Sequence, residues 1–352
     1  MRADTTFPQQ AAERQAKLDT LHEKLTSAVE SLVTGEDWRR AIEFAARFRS
    51  RSFNNTLLIW TQHQAAFEHG RVPTPLPSHV AGYRQWQSQG RQVDKGQAGY
   101  LIFAPVTGRF ASSTPKDPAS WRRLGPAEKP AAGETVRSRM VGAKPAYVWD
   151  VTQTTGDPIP ELPVPRLLTG QAPAGLWDGL ARIVADRGYT LHDAPDAEYL
   201  DGANGVTHWL RKTVHVRTDM DDAARTRTLA HEVGHLLLHN RDDVDAVVHR
   251  GIAEVEAESV ALMIAAAHGM DTDQYTIPYV ATWASRVPGQ SAVETIQATA
   301  ARVRTAALTL LDQLDTTQID DGALPSLTKP LARTTASEPV AERPRRREGR
   351  SL

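Results

Sequence analysis

Cysteine is absent from this chain of 352 residues. Disulfides and thiolate ligands are therefore excluded, and any zinc site must be built from imidazole and carboxylate. No run of about eighteen or more apolar residues occurs, so no membrane span is expected. The opening MRADTTFPQQAAERQ lacks the apolar core of a secretory signal, which makes a cytoplasmic location the expectation. What is present, 40% hydrophobic and 24% charged residues, is the mix of a soluble globular protein long enough for two domains.

The formal charge of -1 hides a division along the chain. Counted by segment it is about +7 for residues 1–150, about -12 for 151–321 and about +4 for the rest. Such asymmetry suggests that the first half meets a polyanion, and solvated helix faces are the alternative.

Periodicity predicts helices at 11–33, around Trp38 to Phe48 and after Ser52, then a proline-rich loop at 71–78 and a short helix from Tyr83 to Gln87. Strands are expected at Tyr100 to Ala104 and Ala146 to Val151. The intervening residues 107–140 show no clear period and are read as a flexible insertion. The divisions expected are a helical extension at 1–34, a first domain at 35–156, a proline-rich linker at 157–175, a second domain at 176–316 and a disordered basic tail at 317–352. The second domain is predicted to hold a helix at 176–187, a hairpin of Gly205–Leu210 with Thr213–Arg217, and helices at 222–240, 252–268, 277–286 and 291–314.

Within TRTLAHEVGHLLLHN, His231 and His235 are four residues apart, so both imidazoles reach one ion from the same helix face. Glu232 lies beside them, placed to take a proton from a water that zinc acidifies and to direct it at a carbonyl carbon. A catalytic zinc needs a third protein ligand. The run GIAEVEAESVALM offers Glu254 and Glu258 on one face, with Glu256 pointing elsewhere. Glu254 is read as the ligand and Glu258 as a carboxylate orienting a histidine, and the reverse assignment stays open. His239 lies two turns, about 12 Å, from His231 on a straight helix, which makes it a supporting residue rather than a ligand. His215 is a candidate oxyanion stabiliser, with a structural role as the alternative.

Around a glycine-bearing turn, Tyr83, Arg84, Trp86, Arg91 and Lys95 could offer stacking faces and cations to single-stranded nucleic acid, with Asn54, Asn55 and Gln85 adding hydrogen bonds. Core packing is the alternative for Tyr83 and Trp86.

Residues 222–285, through HEVGHLLLH and EVEAESVAL, resemble the ImmA/IrrE-type metallopeptidase domain. The resemblance implies ligand roles for His231, His235 and Glu254 and a base role for Glu232. Glu258 stands where many such domains carry asparagine. Most of residues 35–156 is similar to the N-terminal single-stranded-DNA-binding domain of ArdC-type antirestriction proteins. RSFNNTLLIW, VAGYRQWQSQGRQVDKGQAGYLIFAP and AYVWDVTQTTG carry that similarity, although RSFNN has no aromatic before its serine where many relatives do.

The fold class implied is α+β, a helical and small-sheet DNA-binding domain followed by a zincin-like domain whose HExxH helix packs on a small sheet. The function implied is binding of single-stranded DNA together with a Zn2+-dependent peptidase site acting on a protein or peptide, in antirestriction or protection of mobile-element DNA. The alternatives are a regulatory protease that cleaves a repressor or DNA-bound protein, and a non-catalytic DNA-binding scaffold with structural zinc.

Overall fold

The computed structural model describes residues 7–159, 170–239 and 250–322, except 274, 276, 278, 279, 286 and 288. Among these residues no helix is long and apolar enough to cross a membrane.

Three helices open the chain: α1 (Phe7–Glu30), α2 (Gly35–Arg47) and α3 (Phe53–Glu68). Leu21, Leu25, Ala28 and Val29, spaced by three and four, put one face of α1 in the core, so this segment is part of the folded body. Thr34 caps α2, its hydroxyl accepting from the Asp37 N–H while the Asp37 carboxylate accepts from the Thr34 N–H. Then follow β1 (Val80–Gly82), α4 (Tyr83–Ser88), β2 (Arg91–Val93), β3 (Tyr100–Ser112), β4 (Arg122–Arg123), β5 (Thr135–Asp150) and β6 (Thr154–Gly156). An antiparallel sheet runs β1-β5-β3-β4, and β2 pairs with β6.

The expected flexible insertion is instead a β-ribbon. β3 and β5 pair from Tyr100–Val148 out to Ser112–Thr135, with Val141 bulged from β5. The first ten residues of β5 are exposed, so this strand needs no apolar alternation and leaves no period-two signal in the sequence.

The second domain contains α5 (Leu176–Asp186), β7 (Thr190–Ala194), β8 (Gly205–His208), β9 (Thr213–Arg217), α6 (Asp222–Leu238), α7 (Arg250–Ala267), α8 (Val280–Ala284) and α9 (Ala292–Leu311). The expected hairpin forms as β8 and β9, and β7 joins it parallel to β9, giving the order β7-β9-β8. Val214 and Val216 are fully buried, while Thr213, His215 and Arg217 alternate to the other face.

The two domains share a core. Trp38 of α2 is fully buried against Trp283 of α8, ring centroids 5.2 Å apart, and its Nε1 donates to Ser259 of α7 at 2.8 Å. Residues 317–322, placed by sequence in a disordered tail, are fastened to the body. Gly322 bonds Arg47 and Val80 through its backbone, and Ile319 donates to the Ala267 carbonyl. Gly322 sits so tightly that a Cβ there would lie 2.5 Å from the Ser78 carbonyl oxygen. Residues 323–352 of that tail, and 160–169 of the linker, lie outside the described residues.

Candidate metal centre and nucleic-acid face

Asp221 starts the motif helix α6, its side chain accepting from the Ala224 N–H at 2.7 Å. Leu229, Ala230 and Val233 face the core. Gly234 brings α7 close: a Cβ there would lie 3.1 Å from the Ala257 Cα and 3.2 Å from its carbonyl oxygen. That close approach lets Glu254 and Glu258 of α7 reach the histidines of α6.

The Nε2 atoms of His231 and His235 lie 3.1 Å apart. Glu254 Oε2 is 3.5 Å from the first and 3.7 Å from the second. Tetrahedral bonds of about 2.0–2.1 Å put ligand atoms roughly 3.3 Å from one another, so these three atoms have the spacing of a metal's ligands. Among the described residues this is the one group of three or more such side chains so arranged. The Nδ1 of His231 is 2.9 Å from Glu258 Oε2, and a carboxylate there accepts the Nδ1 proton, leaving the Nε2 lone pair toward the centre. Two imidazole lone pairs facing each other need a cation or proton between them, and a divalent ion fits that donor set.

Burial pulls the His231 pKa down, but the Glu254 and Glu258 carboxylates and the charge of Glu232 outweigh it and hold it up at about 10. Contact with His231 and His235 holds the Glu254 carboxyl well below the usual range. The Glu254 side chain is 56% exposed against 21% and 15% for the two histidines, so the centre opens to solvent on the glutamate side.

Glu232 is 5% exposed, and its Oε2 accepts from the Thr207 hydroxyl at 2.6 Å. A Cβ on Gly205 would lie 2.7 Å from Thr228 Cγ2 and 2.9 Å from Glu232 Oε1, so these two side chains of α6 occupy the space that this glycine leaves. Neither Thr207 nor Gly205 was singled out from sequence, and their one signal was alternate placement on the helix-facing side of β8. His239 lies just past the end of α6 in extended conformation, with its ring turned onto His235, Nδ1 to Nδ1 at 3.0 Å. Glu256 meets the far side of that ring, Nε2 to Oε2 at 3.0 Å. It does point away from Glu254 and Glu258, but onto a neighbour of the site.

His215 is not brought to this centre. Its strand neighbour Val214 pairs with Thr207 on the face that meets Glu232, so His215 looks out from the opposite face. There it stacks on His192 with centroids 5.0 Å apart and meets His208 at 5.5 Å; burial and then those two rings lower its pKa.

The candidate nucleic-acid residues divide. Trp86 is fully buried and donates to the Trp149 carbonyl, which makes it core. Arg91 donates to Thr154, Gly156 and Asp157, clamping β2 to β6. Asn55 spends its amide on the N–H and carbonyl of Phe103, and Gln62, two turns on, does the same for Leu101; α3 thus covers the open edge of β3. Gln85 accepts from the Gly82 N–H at the start of α4. Asn54 lines a cavity of about 510 Å³ between α1, β3 and α9.

Tyr83, Arg84 and Lys95 remain on the surface. Tyr83 is 42% exposed and meets Trp149 edge-on at 6.2 Å; Trp149 in turn meets Tyr147, 45% exposed, at 6.4 Å. Lys17 stands 5.8 Å over the Tyr147 ring. Gly99 makes room for this row, since a Cβ there would lie 2.7 Å from the Trp149 ring. Tyr147, Trp149 and Lys17 were not picked from sequence, because the row forms only when β1 and β5 pair.

Comparison with known proteins follows the same division. The family model of the N-terminal domain of the anti-restriction factor ArdC matches residues 13–149, and that of the IrrE N-terminal-like domain of M78 peptidases matches 189–278. An uncharacterized protein of Bacillus anthracis is 23% identical over 277 residues, 74% of this chain, and the chain spans only 45% of that longer protein. Crystal structures of the antirestriction protein ArdC of plasmid R388 match with 20% identity and a TM-score of 0.45 in the metal-free form, and 18% and 0.44 in the Mn(II)-bound form. They cover 74% and 78% of this chain and 84% and 97% of their own. The chain thus joins a segment that matches the ArdC N-terminal domain to one that matches the IrrE-like domain of M78 peptidases, the domain order of ArdC-type two-domain proteins.

Proposed function

We propose that this protein binds single-stranded DNA on its first domain and hydrolyses a peptide bond at a zinc centre on its second, in the protection of incoming mobile-element DNA. The convergence of His231 Nε2, His235 Nε2 and Glu254 Oε2 carries the metal reading. Zinc bound there would polarise a carbonyl and make water acidic near neutral pH. The chain's own part begins with Glu258, which holds the proton on His231 Nδ1 and so aims its Nε2. Glu232 would take a proton from the attacking water at a carboxylate oxygen and pass it to the leaving amine. Thr207 fixes the rotamer of Glu232 by donating to Oε2. The solvent-open side at Glu254 leaves room for substrate.

The DNA reading is supported by the row Tyr83, Trp149 and Tyr147, bordered by Lys17, with the exposed cations Arg84 and Lys95 on the same domain. Partly exposed aromatic rings with cations nearby suit stacking by unpaired bases and contact with their phosphates. The test is binding to single strands, duplex and RNA across a salt series, beside peptidase and antirestriction assays of wild type and Glu232→Ala. The proposal expects a preference for single strands that weakens with salt, and loss of peptidase and antirestriction activity in Glu232→Ala with DNA binding intact. Full antirestriction by Glu232→Ala would favour a DNA-binding scaffold.

A further inference from the structure

His235 carries a ring-to-ring contact that its partner across the site lacks. His231 presents its Nδ1 to a carboxylate, whereas the Nδ1 of His235 lies 3.0 Å from another imidazole nitrogen, Nδ1 of His239. Two imidazole nitrogens in contact leave the direction of the hydrogen bond undecided. If His239 donates, His235 carries its proton on Nε2, where it blocks the centre. If His235 donates, its Nε2 lone pair faces His231 and Glu254.

The other nitrogen of His239 decides between these. It lies 3.0 Å from Glu256 Oε2, and a carboxylate accepts without donating, so neutral His239 must carry its proton there, on Nε2. Its Nδ1 is then a lone pair and accepts from His235. Glu256 is 1% exposed, and its other oxygen has no hydrogen-bond partner among the described residues. Arg302 of α9 stands 3.2 Å from Oε2, a cation placed beside the buried carboxylate.

We propose that Glu256, held by Arg302, is a positioning residue that acts through His239 to fix the tautomer of His235 and keep its Nε2 open to the metal. The inference rests on the metal-centre reading given above. It ties the site to α9, a helix that bears no residue of the HExxH motif or of the three-ligand group.

The experiment measures Zn2+ affinity of the full chain by chelator competition, together with histidine nitrogen-15 spectra that identify which ring nitrogen is protonated. Wild type should bind Zn2+ with His235 protonated at Nδ1 and His239 at Nε2. Glu256→Leu removes the acceptor and should weaken Zn2+ binding by about tenfold to a hundredfold, with His239 no longer held in one tautomer. Glu256→Gln keeps a carbonyl acceptor and should recover much of that loss. If Glu256→Leu does not fold, Arg302→Gln, altered at a half-exposed side chain, should weaken binding several-fold. Affinity within about twofold of wild type in these variants, or a loss with the His239 tautomer unchanged, overturns the proposal. Absence of Zn2+ binding by wild type would overturn the metal-centre reading itself.

Discussion

The indole Nε1 of Trp38 donates to the hydroxyl of Ser259 at 2.8 Å, inside the seam where α2 of the first domain meets the glutamate-bearing α7 of the second. Ser259 directly follows Glu258, the partner of His231 Nδ1, so this bond braces the site from the neighbouring domain. Trp38→Phe, which deletes the donor and leaves a smaller ring in a fully buried site, should cost about 1–3 kcal/mol or more. Because the core runs through the seam, urea unfolding followed by circular dichroism and by fluorescence should show one coincident transition. Two separated transitions would contradict the shared core.

Two glycines hold the site's spacing. Gly234→Val places atoms against the Ala257 backbone and should drive α6 from α7, weakening Zn2+ binding as well as costing about 1–3 kcal/mol in stability. Gly205→Ala intrudes on Thr228 and Glu232 rather than on the ligands, so it should keep metal binding while losing hydrolysis. Metal analysis beside a peptidase assay checks both, and equal effects of the two variants on metal content would be the wrong outcome.

With the metal removed, the raised pKa of His231 means its charge stabilises the fold fully below the ordinary histidine range, and the contribution disappears as pH rises through about 10. Glu254 has the opposite sign: its depressed value contributes stability above the ordinary carboxylate range that is lost as acid is added. At neutral pH the metal-free centre therefore holds a proton that a bound metal ion would displace. Calorimetric titration in buffers of differing ionisation enthalpy should register release of about one proton per zinc. An enthalpy independent of buffer would refute this.

On the first domain, removing Tyr83 and Tyr147 together should weaken single-strand binding by about 1–3 kcal/mol for each stacked base lost. Changing Lys17, Arg84 and Lys95 to glutamine should flatten its salt dependence. Arg91→Ala should instead lower stability, since that guanidinium is occupied with Thr154, Gly156 and Asp157. Filter-binding and thermal unfolding measurements separate these effects.

The histidine pair and Glu232 could be read from sequence because they sit within one helix whose period is known, and Glu254 and Glu258 because their own spacing repeats it. Thr207 and Glu256 could not: each touches its partner across at least seventeen residues, at a distance set by strand pairing or by where α6 stops. The straight-helix separation of His239 was moot because the chain leaves the helix at that residue. Composition does not distinguish a cation free to bind a ligand from one that holds the backbone, which is why Arg91 looks in sequence like Arg84 and Lys95. The β3–β5 ribbon escaped because a strand with water on both faces needs no alternation.

A metal held by His231, His235 and Glu254 underlies the proposed chemistry. Its most direct test is elemental analysis of the purified full-length chain, with Zn2+ titration of the chelator-treated protein. About one tightly bound zinc per chain is expected, falling to a small fraction of that in His231→Ala and His235→Ala. A wild-type protein that neither carries nor takes up zinc, or variants that bind it equally well, would contradict it.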